Sequence, residues 1–379
     1  MEQPIGSPTG GERSEKKRVR ILVSGGGTGG HIFPALSIAD ELKSRLGAEI
    51  LFVGAEDRME MTRVPEAGYK IIGLPVAGFD RKNIFKNFRV IGKLISSLGK
   101  AKKIVKEFKP DIVVGVGGYA SGPVLKAAQR AGIPTLIQEQ NSYAGVTNKL
   151  LAKGADKICV AYDGMEKFFP GEKIIKTGNP IRKRLLSENL SRKDALASFG
   201  LSADRKTLLA VGGSLGALTI NESMAEGLKK LVGHGIQVIW QTGKNFGTRG
   251  NEAAKGLKGV VVTPFITDMA SAYRGADLVI SRAGAASISE LQALGKPAIL
   301  VPSPNVAEDH QTHNALALSN IGAAVLVKDN EAREKLVDEA LRLLEQPEKL
   351  KEMSSKIGAM GITDSAQRIG DEVCKLIKK

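Results

Sequence analysis

The feature that most constrains this chain is a strand, a glycine-rich loop and a helix that occur twice in the same order. The first copy, RILVSGGGTGGHIFPALSIADEL, begins at Arg20, and the second, TLLAVGGSLGALTINESMAEGL, begins at Thr207. A glycine-rich turn between a buried strand and a helix is typical of the first unit of a doubly wound parallel sheet. The two copies therefore predict two Rossmann-like domains.

Short apolar runs alternate with amphipathic stretches along most of the chain, and this alternation predicts α/β domains with parallel sheets. A length of 379 residues also favours two domains. Helices are predicted at Pro34–Leu46 and Ser121–Ala131. The predicted strands are Arg20–Ser24, Glu49–Val53, Ile112–Val116, Thr135–Gln138, Lys157–Val160, Thr207–Val211, Gln237–Thr242, Val260–Thr263, Leu278–Ser281 and Ala298–Val301.

Breaks in this pattern predict the domain boundaries. Residues 1–17 are polar and rich in Gly and Pro, which predicts a disordered tail. Asn179-Pro180 interrupts the alternation before a basic stretch, so we expect domains at 18–179 and 180–363. Residues 364–379 form a last helix that could pack back on the first domain, which the sequence leaves open. The two sheets would face each other across a cleft at the carboxyl ends of their strands.

Composition narrows the class of protein. The two cysteines, Cys159 and Cys374, cannot form a disulfide framework, which indicates a reducing compartment. The sequence contains no apolar run long enough to span a bilayer and no signal-peptide core. The formal net charge of +15 predicts an anionic partner, which could be a nucleic acid, a phosphorylated substrate or an acidic lipid.

The first glycine loop, Gly25–Gly30, matches the G-x-G-x-x-G pattern between a strand and a helix. Glycines let a backbone approach a phosphate or a sugar, and the helix N-terminus adds positive potential. The acidic residues Glu56 and Asp57 follow the second strand, so this motif also fits a nicotinamide-dependent dehydrogenase. His31 comes directly after the glycines and is the histidine best placed to act as a general base, although a cap or packing role is the alternative.

Two further small-residue loops could hold a diphosphate. Gly212–Ala217 offers backbone N–H groups and the hydroxyl of Ser214. Ala283–Ala286 leads into a helix whose first turns carry Ser287 and Glu290, and the carboxylate could bind ribose hydroxyls. An ordinary capped helix with an acid in its first turn is the structural alternative.

A metal site is not expected. His310 and His313 lie beside Glu308 and Asp309, but no further ligands follow at a recognisable spacing. The chain contains no Asp-x-Asp pair. A diphosphate leaving group would therefore be stabilised by helix dipoles and hydrogen-bond donors.

The segment Gly78–Pro110 is the strongest charge feature, with ten Lys or Arg residues against two acids. Apolar residues are interleaved with the cations, a pattern that suits the plane of an anionic bilayer surface. A core helix with a solvated basic face is the alternative. The predicted membrane patch consists of Arg81, Lys82, Ile84, Phe85, Lys86, Phe88 and Arg89.

Six segments in order give the chain a specific resemblance. They are GGGTGGHIFPALSIADEL, VGVGGYASGPVLKAA, QEQNSYAGVTNKLLAKGAD, TGNPIR, GGSLGALTIN and SRAGAASISELQALGKPAILVP. Together they resemble the MurG family of N-acetylglucosaminyltransferases of peptidoglycan synthesis, which have the GT-B fold. The resemblance runs from about Val19 to the C-terminus. It implies transfer of N-acetylglucosamine from UDP-N-acetylglucosamine to lipid I, with inversion at the anomeric carbon, to give lipid II.

The resemblance also implies roles for particular residues. His31 would be the base on the acceptor hydroxyl, Ile266 would meet the uracil edge through its backbone, and Glu290 would hold the ribose. Ala285, Ala286 and Ser287 remain candidates from the third small-residue loop. The other residues implied as donor contacts are Thr28, Gly29, Gly30, Asn141, Arg182, Ser214 and Gln311.

The expected partners are the nucleotide sugar, the lipid-linked acceptor, an anionic membrane surface and other proteins of cell-wall synthesis. The resemblance implies a peripheral position on the cytoplasmic face of the bacterial plasma membrane, and no cofactor. Nucleic acid is not expected, because aromatic residues total 4% and no binding motif occurs. The alternatives are a UDP-N-acetylglucosamine 2-epimerase of the same architecture and a non-catalytic sensor of nucleotide sugars at the membrane.

Overall fold

The computed structural model describes residues 18–76, 84–186, 190–213 and 215–378, except for the side chains of 84–91, 183 and 307. The predicted tail at 1–17 lies outside these residues, as do Arg81, Lys82 and Ser214. The side chains of the other members of the predicted membrane patch also lie outside the description.

The first half of the chain forms a seven-stranded parallel sheet in the order β3-β2-β1-β4-β5-β6-β7. Its strands are β1 Arg20–Ser24, β2 Glu49–Ala55, β3 Lys70–Leu74, β4 Ile112–Gly115, β5 Thr135–Glu139, β6 Lys157–Val160 and β7 Ile174–Lys176. The helices between them are α1 Gly29–Leu46, α2 Glu60–Glu66, α3 Ile84–Phe108, α4 Ser121–Arg130 and α5 Val146–Leu151.

The second half forms a six-stranded parallel sheet in the order β10-β9-β8-β11-β12-β13. Its strands are β8 Thr207–Val211, β9 Gln237–Gln241, β10 Val260–Thr263, β11 Leu278–Ser281, β12 Ala298–Leu300 and β13 Val325–Leu326. The helices that follow β7 are α6 Arg192–Ala197, α7 Leu218–Gly233, α8 Gly247–Ala254, α9 Met269–Gly275, α10 Ala285–Ala293, α11 His310–Ser319, α12 Ala332–Leu344, α13 Pro347–Ala359 and α14 Ser365–Ile377.

Each sheet is buried on both faces because helices cover both sides. In β1, Ile21 and Val23 pack on one side while Leu22 packs on the other. In β8, Leu208 and Leu209 divide between the two faces in the same way. Side chains alternate across a strand, so strands covered on both faces appear as continuous apolar runs. This is why the strands were visible in the sequence.

The last helix, α14, returns to the first sheet. Ile369, Val373 and Leu376 are buried against the face that α1 also covers. Arg45 of α1 pairs with Asp371 at 2.5 Å. The core of the first sheet therefore includes residues from the end of the chain, and the domain limits given above stay a prediction.

The GT-B class predicted from the sequence is confirmed, with two differences in detail. The edge strands β3, β7 and β13 were not predicted; β7 and β13 are only two or three residues long. Helix α1 begins at Gly29 rather than at Pro34, so the proline lies inside the helix at the cost of one backbone hydrogen bond. Within the described residues, no helix is long and apolar enough to cross a membrane.

Candidate functional site

The loops that carry the candidate residues lie at the carboxyl ends of the strands. The order of each sheet reverses next to its first strand, between β1 and β4 and between β8 and β11. Ligands of open α/β sheets bind at such switch points, outside the carboxyl ends. The loop after β5 and the segment after β7 meet helices α11 and α10 of the second half through several hydrogen bonds, which define the cleft between the two sheets.

The first glycine loop adopts a backbone that only glycine accepts readily. Gly26 and Gly27 have φ values of 155° and 87°. Thr28 is exposed at the start of α1, and its side chain makes no capping hydrogen bond. Gly29 and Gly30 form the first turn of α1, so their N–H groups belong to the orphan donors of a helix N-terminus. This arrangement suits an anionic or sugar group in the cleft.

His31 is held by two glycine segments. Its Nδ1 lies 3.0 Å from the carbonyl oxygen of Gly26, which can only accept, so Nδ1 carries the proton in this hydrogen bond. Nε2 then holds a lone pair. A Cβ on Gly117 would lie 3.1 Å from Nε2, so the second segment approaches the ring closely. Burial lowers the pKa of His31 below its ordinary value, while the charge of Glu139 opposes that shift. The imidazole is thus neutral near pH 7 and can accept a proton.

Glu139 organises the loop that follows β5. Its carboxylate is buried and accepts hydrogen bonds from the N–H of Asn141 at 3.0 Å and of Gly145 at 3.0 Å. The side-chain amide of Asn148 also donates to it at 2.8 Å. These bonds fix the loop that carries Asn141. Sequence reasoning did not identify Glu139, although an acid at the end of a fully buried strand was the available signal.

The candidate for binding the uracil base, Ile266, lies on the side of the second sheet. Gln241 is buried at the end of β9; its Nε2 donates to the Gly213 carbonyl at 2.9 Å and its Oε1 accepts from the Ile266 N–H at 2.8 Å. The N–H of Ile266 is therefore already hydrogen-bonded to Gln241. The edge of a uracil could reach the Ile266 carbonyl without displacing this hydrogen bond. Gln241, which was not predicted from the sequence, thus connects the loop after β8, a candidate for diphosphate binding, to Ile266, the candidate for uracil binding.

Glu290 lies at the centre of a second buried network. Arg182 donates to its Oε1 through Nε at 2.9 Å, and the hydroxyl of Tyr273 donates to Oε2 at 3.1 Å. Burial raises the pKa of Glu290, and Arg182 opposes that shift. Ala285, Ala286 and Ser287 form the first turn of the same helix, α10. The structure therefore brings Arg182, Glu290 and the small-residue turn together.

Asn314 of α11 connects the two sides of the cleft. Its Oδ1 accepts from the backbone N–H of Ser142 at 3.0 Å, and its Nδ2 donates to Oδ1 of Asn141 at 3.1 Å. Asn179 makes a similar bridge to the hydroxyl of Ser289 at 3.0 Å. The Gln311 side chain instead accepts from the Ser303 N–H at 2.9 Å, so it supports the loop after β12. Asn141 is thus joined to the second sheet.

The candidate residues fall into two groups across the cleft. On the side of the first sheet lie Thr28, Asn141 and the first turn of α1 with Gly29, Gly30 and His31, and Arg182 crosses to Glu290 of α10 on the side of the second sheet. Among the described residues, no three His, Cys, Asp or Glu side chains converge in a way that could hold a metal ion. Glu56, the alternative ribose ligand of a dehydrogenase, pairs with Lys100 at 2.9 Å.

The end of α3 forms a basic, apolar groove away from the cleft. Leu94 and Ile95 of this helix are exposed. The same helical face continues into a cavity of about 690 Å³ between α3 and α4. Its lining residues are Leu98, Lys102, Val105, Lys106, Lys109, Pro110, Asp111, Ala127, Arg130, Ala131 and Ile133. Four cations and one acid surround the apolar floor.

Comparison with known proteins gives the class first. The chain matches the glycosyltransferase family 28 N-terminal domain over residues 21–160 and the glycosyltransferase family 28 C-terminal domain over residues 207–369. A crystal structure of UDP-GlcNAc 2-epimerase from Neisseria meningitidis has a TM-score of 0.67 at 14% identity and covers 94% of this chain and 100% of its own. At that identity the likeness shows the fold alone. Fold and domain models together define a two-domain glycosyltransferase.

Nearer relatives give the family. The chain is 61% identical over 368 residues to the UDP-N-acetylglucosamine–N-acetylmuramyl-(pentapeptide) pyrophosphoryl-undecaprenol N-acetylglucosamine transferase of Phocaeicola vulgatus, covering 96% of this chain and 98% of that one. The crystal structure of Acinetobacter baumannii MurG has a TM-score of 0.77 at 30% identity and covers 94% of this chain and 99% of its own. This chain belongs to the MurG family of N-acetylglucosaminyltransferases.

Proposed function

We propose that the protein transfers N-acetylglucosamine from UDP-N-acetylglucosamine to the N-acetylmuramyl-(pentapeptide) group of an undecaprenyl-diphosphate acceptor, lipid I, to give lipid II. The relative from Phocaeicola vulgatus carries this activity in its name. The observation that carries the proposal is the cleft itself, where helix α1, which contains His31 in its first turn, contacts helix α10, whose Glu290 is paired with Arg182.

The donor fits the loops of the second sheet. The first turn of α10 and the loop after β8 offer backbone N–H groups to a diphosphate. Glu290 would hold the ribose, and the Ile266 carbonyl would receive the N–H of the uracil. Arg182 carries a fixed positive charge beside that site and would stabilise the departing UDP. Ser214, the remaining donor candidate in the loop after β8, lies outside the described residues.

The acceptor fits the loops of the first sheet. His31 would take the proton from the acceptor hydroxyl at Nε2, while Nδ1 keeps its hydrogen bond to the Gly26 carbonyl. The acceptor oxygen then forms a bond to the anomeric carbon as the bond from that carbon to UDP breaks. Attack on the face opposite the leaving group inverts the anomeric configuration. Closure of the cleft would exclude water, which would otherwise hydrolyse the donor.

An anionic membrane surface is the expected location of the acceptor. The exposed Leu94 and Ile95 and the basic groove beside them place apolar and cationic groups on one face of α3. Apolar contacts with acyl chains and the attraction of Lys and Arg to acidic headgroups act together at such a surface. We infer a peripheral position on the cytoplasmic face of the plasma membrane, with other proteins of cell-wall synthesis as further partners.

The fate of labelled sugar tests the proposal. Wild-type protein is mixed with UDP-[14C]N-acetylglucosamine and a short-chain lipid I analogue, and the products are separated by chromatography. We expect the label to move into the lipid fraction. Conversion of the donor into its 2-epimer without transfer would favour the epimerase instead. Binding of the donor with neither transfer of the label nor epimerisation of the donor would favour a sensor.

A further inference from the structure

Glu60 is a buried carboxylate beneath the first glycine loop. It is fully buried at the start of α2, and both of its oxygens accept from the N–H of Gly27, at 3.1 and 3.0 Å. Its Oε1 also accepts from the N–H of Ala55 at 3.0 Å. A buried carboxyl group is costly unless its oxygens are hydrogen-bonded, so these backbone donors account for its stability there. The donor and acceptor sites proposed above do not use it.

Two glycines make room for this side chain. A Cβ on Gly54 would lie 2.6 Å from Cγ of Glu60, and a Cβ on Gly26 would overlap its Oε1. Gly26 thus serves Glu60 as well as the tight turn of the loop. Part of the glycine-rich pattern is therefore required by a carboxylate inside the protein.

Glu60 and His31 hold opposite ends of one peptide group. The N–H of Gly27 donates to Glu60, and the carbonyl of the same peptide, that of Gly26, accepts from Nδ1 of His31 at 3.0 Å. The N–H and C=O of a trans peptide point in opposite directions across a rigid plane. Glycine on both sides of this peptide offers little resistance to its rotation by half a turn.

We propose that Glu60 is a positioning residue: it fixes the Gly26–Gly27 peptide plane and thereby keeps the proton of His31 on Nδ1. A flipped peptide would present its N–H to Nδ1 and would favour the tautomer protonated on Nε2. That tautomer has no lone pair on the nitrogen that faces the acceptor. The catalytic consequence rests on the proposed role of His31, whereas the tautomer itself does not.

Glu60→Gln is the informative substitution because it keeps the shape and removes one acceptor. The amide has a single oxygen for the two N–H groups of Gly27 and Ala55, and its NH2 group repels an N–H. A flip of the peptide would offer the Gly26 carbonyl to that NH2 group. Glu60→Asp keeps the carboxylate one methylene shorter and is the conservative variant. Glu66→Gln, an exposed acid of the same helix paired with Arg63 at 2.8 Å, is the matched control.

Histidine ¹⁵N NMR reads the tautomer directly, and the chain has only four histidines. We expect wild type and Glu66→Gln to show His31 protonated on Nδ1, and Glu60→Gln to shift it towards Nε2. His234, which is exposed and lies beside Glu345, should not change and reports that the chain is folded. A wild-type His31 protonated on Nε2, or an unchanged tautomer in folded Glu60→Gln, would overturn the proposal. If Glu60→Gln does not fold, the wild-type spectrum still tests the proposal, because His31 protonated on Nε2 would overturn it. Glu60→Asp, with its shorter carboxylate, should then show a smaller shift towards Nε2, and no shift at all would count against the proposal.

Steady-state kinetics gives the second result. We expect kcat of Glu60→Gln to fall about 100-fold, at the lower end of the range for a general base, with KM for the donor nearly unchanged and partial recovery in Glu60→Asp. A fall in kcat without a tautomer change would assign Glu60 a packing role only. If Glu60→Gln changes the tautomer of His31 but His31→Ala retains full turnover, the proposed role of His31 is refuted and the positioning role of Glu60 stands.

Discussion

Replacing Arg182 with Met tests whether the buried network at Glu290 supports both folding and donor binding. The guanidinium makes two contacts to Oε1 of Glu290, from Nε at 2.9 Å and from a terminal nitrogen at 2.8 Å. The Arg182 side chain is 46% exposed and the Glu290 side chain only 11%. Of the two partners, only Glu290 is therefore largely buried. Arg184, 3.9 Å from Asp268 and 79% exposed, provides a matched control as Arg184→Met.

The expected loss of stability follows from this half-burial. Breaking a fully buried ion pair costs about 3–5 kcal/mol, and an exposed pair contributes about 0–1 kcal/mol. We therefore expect Arg182→Met to lose about 1–2 kcal/mol at pH 7. This corresponds to a fall in Tm of about 2–6 °C. Arg184→Met should lose less than about 0.5 kcal/mol.

The loss should depend on pH because Glu290 is the group left without its partner. Burial raises the pKa of Glu290 and Arg182 opposes the rise, so the pKa increases further in the variant. Between the unfolded value of 4.5 and this raised value, the folded variant binds a proton that the unfolded chain does not. The difference in Tm between wild type and variant should therefore be largest above the raised pKa and shrink as the pH falls through it.

Differential scanning fluorimetry from pH 5 to 8 measures the stability, and isothermal titration calorimetry with UDP measures the affinity. We expect Arg182→Met to bind UDP about tenfold more weakly, since a hydrogen bond to a charged group contributes about 1.5–3 kcal/mol. If Arg182→Met matches Arg184→Met in both Tm and affinity, the network has neither role. A difference in Tm that grows towards pH 5 would refute the argument about Glu290.

Three further results are expected. In a pH–rate profile, the acid limb of kcat/KM should have its midpoint below pH 6.5, because burial lowers the pKa of His31. Glu139→Gln should lower this midpoint further, because it removes a charge that opposes the shift. A midpoint above pH 6.5 would contradict both statements. Asn314→Ala should raise KM for the donor several-fold in initial-rate kinetics, because it removes the hydrogen bonds to Ser142 and Asn141. An unchanged KM would mean that these hydrogen bonds have no role in donor binding. Transfer should persist in excess EDTA, since the backbone N–H groups at the start of α10 and the guanidinium of Arg182 would stabilise the departing diphosphate without a cation. Loss of activity that only a divalent cation restores would refute this.

The fold was largely predictable because its strands are buried on both faces. Runs such as Leu208–Ala210 are apolar throughout and are bounded by turns, so their positions follow from the sequence. The short edge strand β13, Val325–Leu326, offers too few residues for a pattern. The start of α1 at Gly29 was missed because Pro34 favours a helix start, whereas here the proline lies inside the helix.

The candidate site was only partly predictable. Residues next to glycine-rich loops, such as His31, have a local signal in the sequence. Glu60 and Gln241 have none, because their roles depend on backbone groups of other loops that the fold brings within hydrogen-bond distance. The pairing of Arg182 with Glu290 spans two distant segments and needed the structure as well. Assignments of individual residues to donor and acceptor therefore stay predictions.

The central claim is that His31 acts on the acceptor within the cleft, and a single-turnover measurement tests it most directly. The rate of N-acetylglucosamine transfer to a short-chain lipid I analogue is measured at saturating substrates for wild type, His31→Ala and the exposed control His234→Ala. We predict that His31→Ala is at least about 100-fold slower while its donor affinity is retained, and that His234→Ala matches wild type. A His31→Ala rate within about tenfold of wild type would contradict the account.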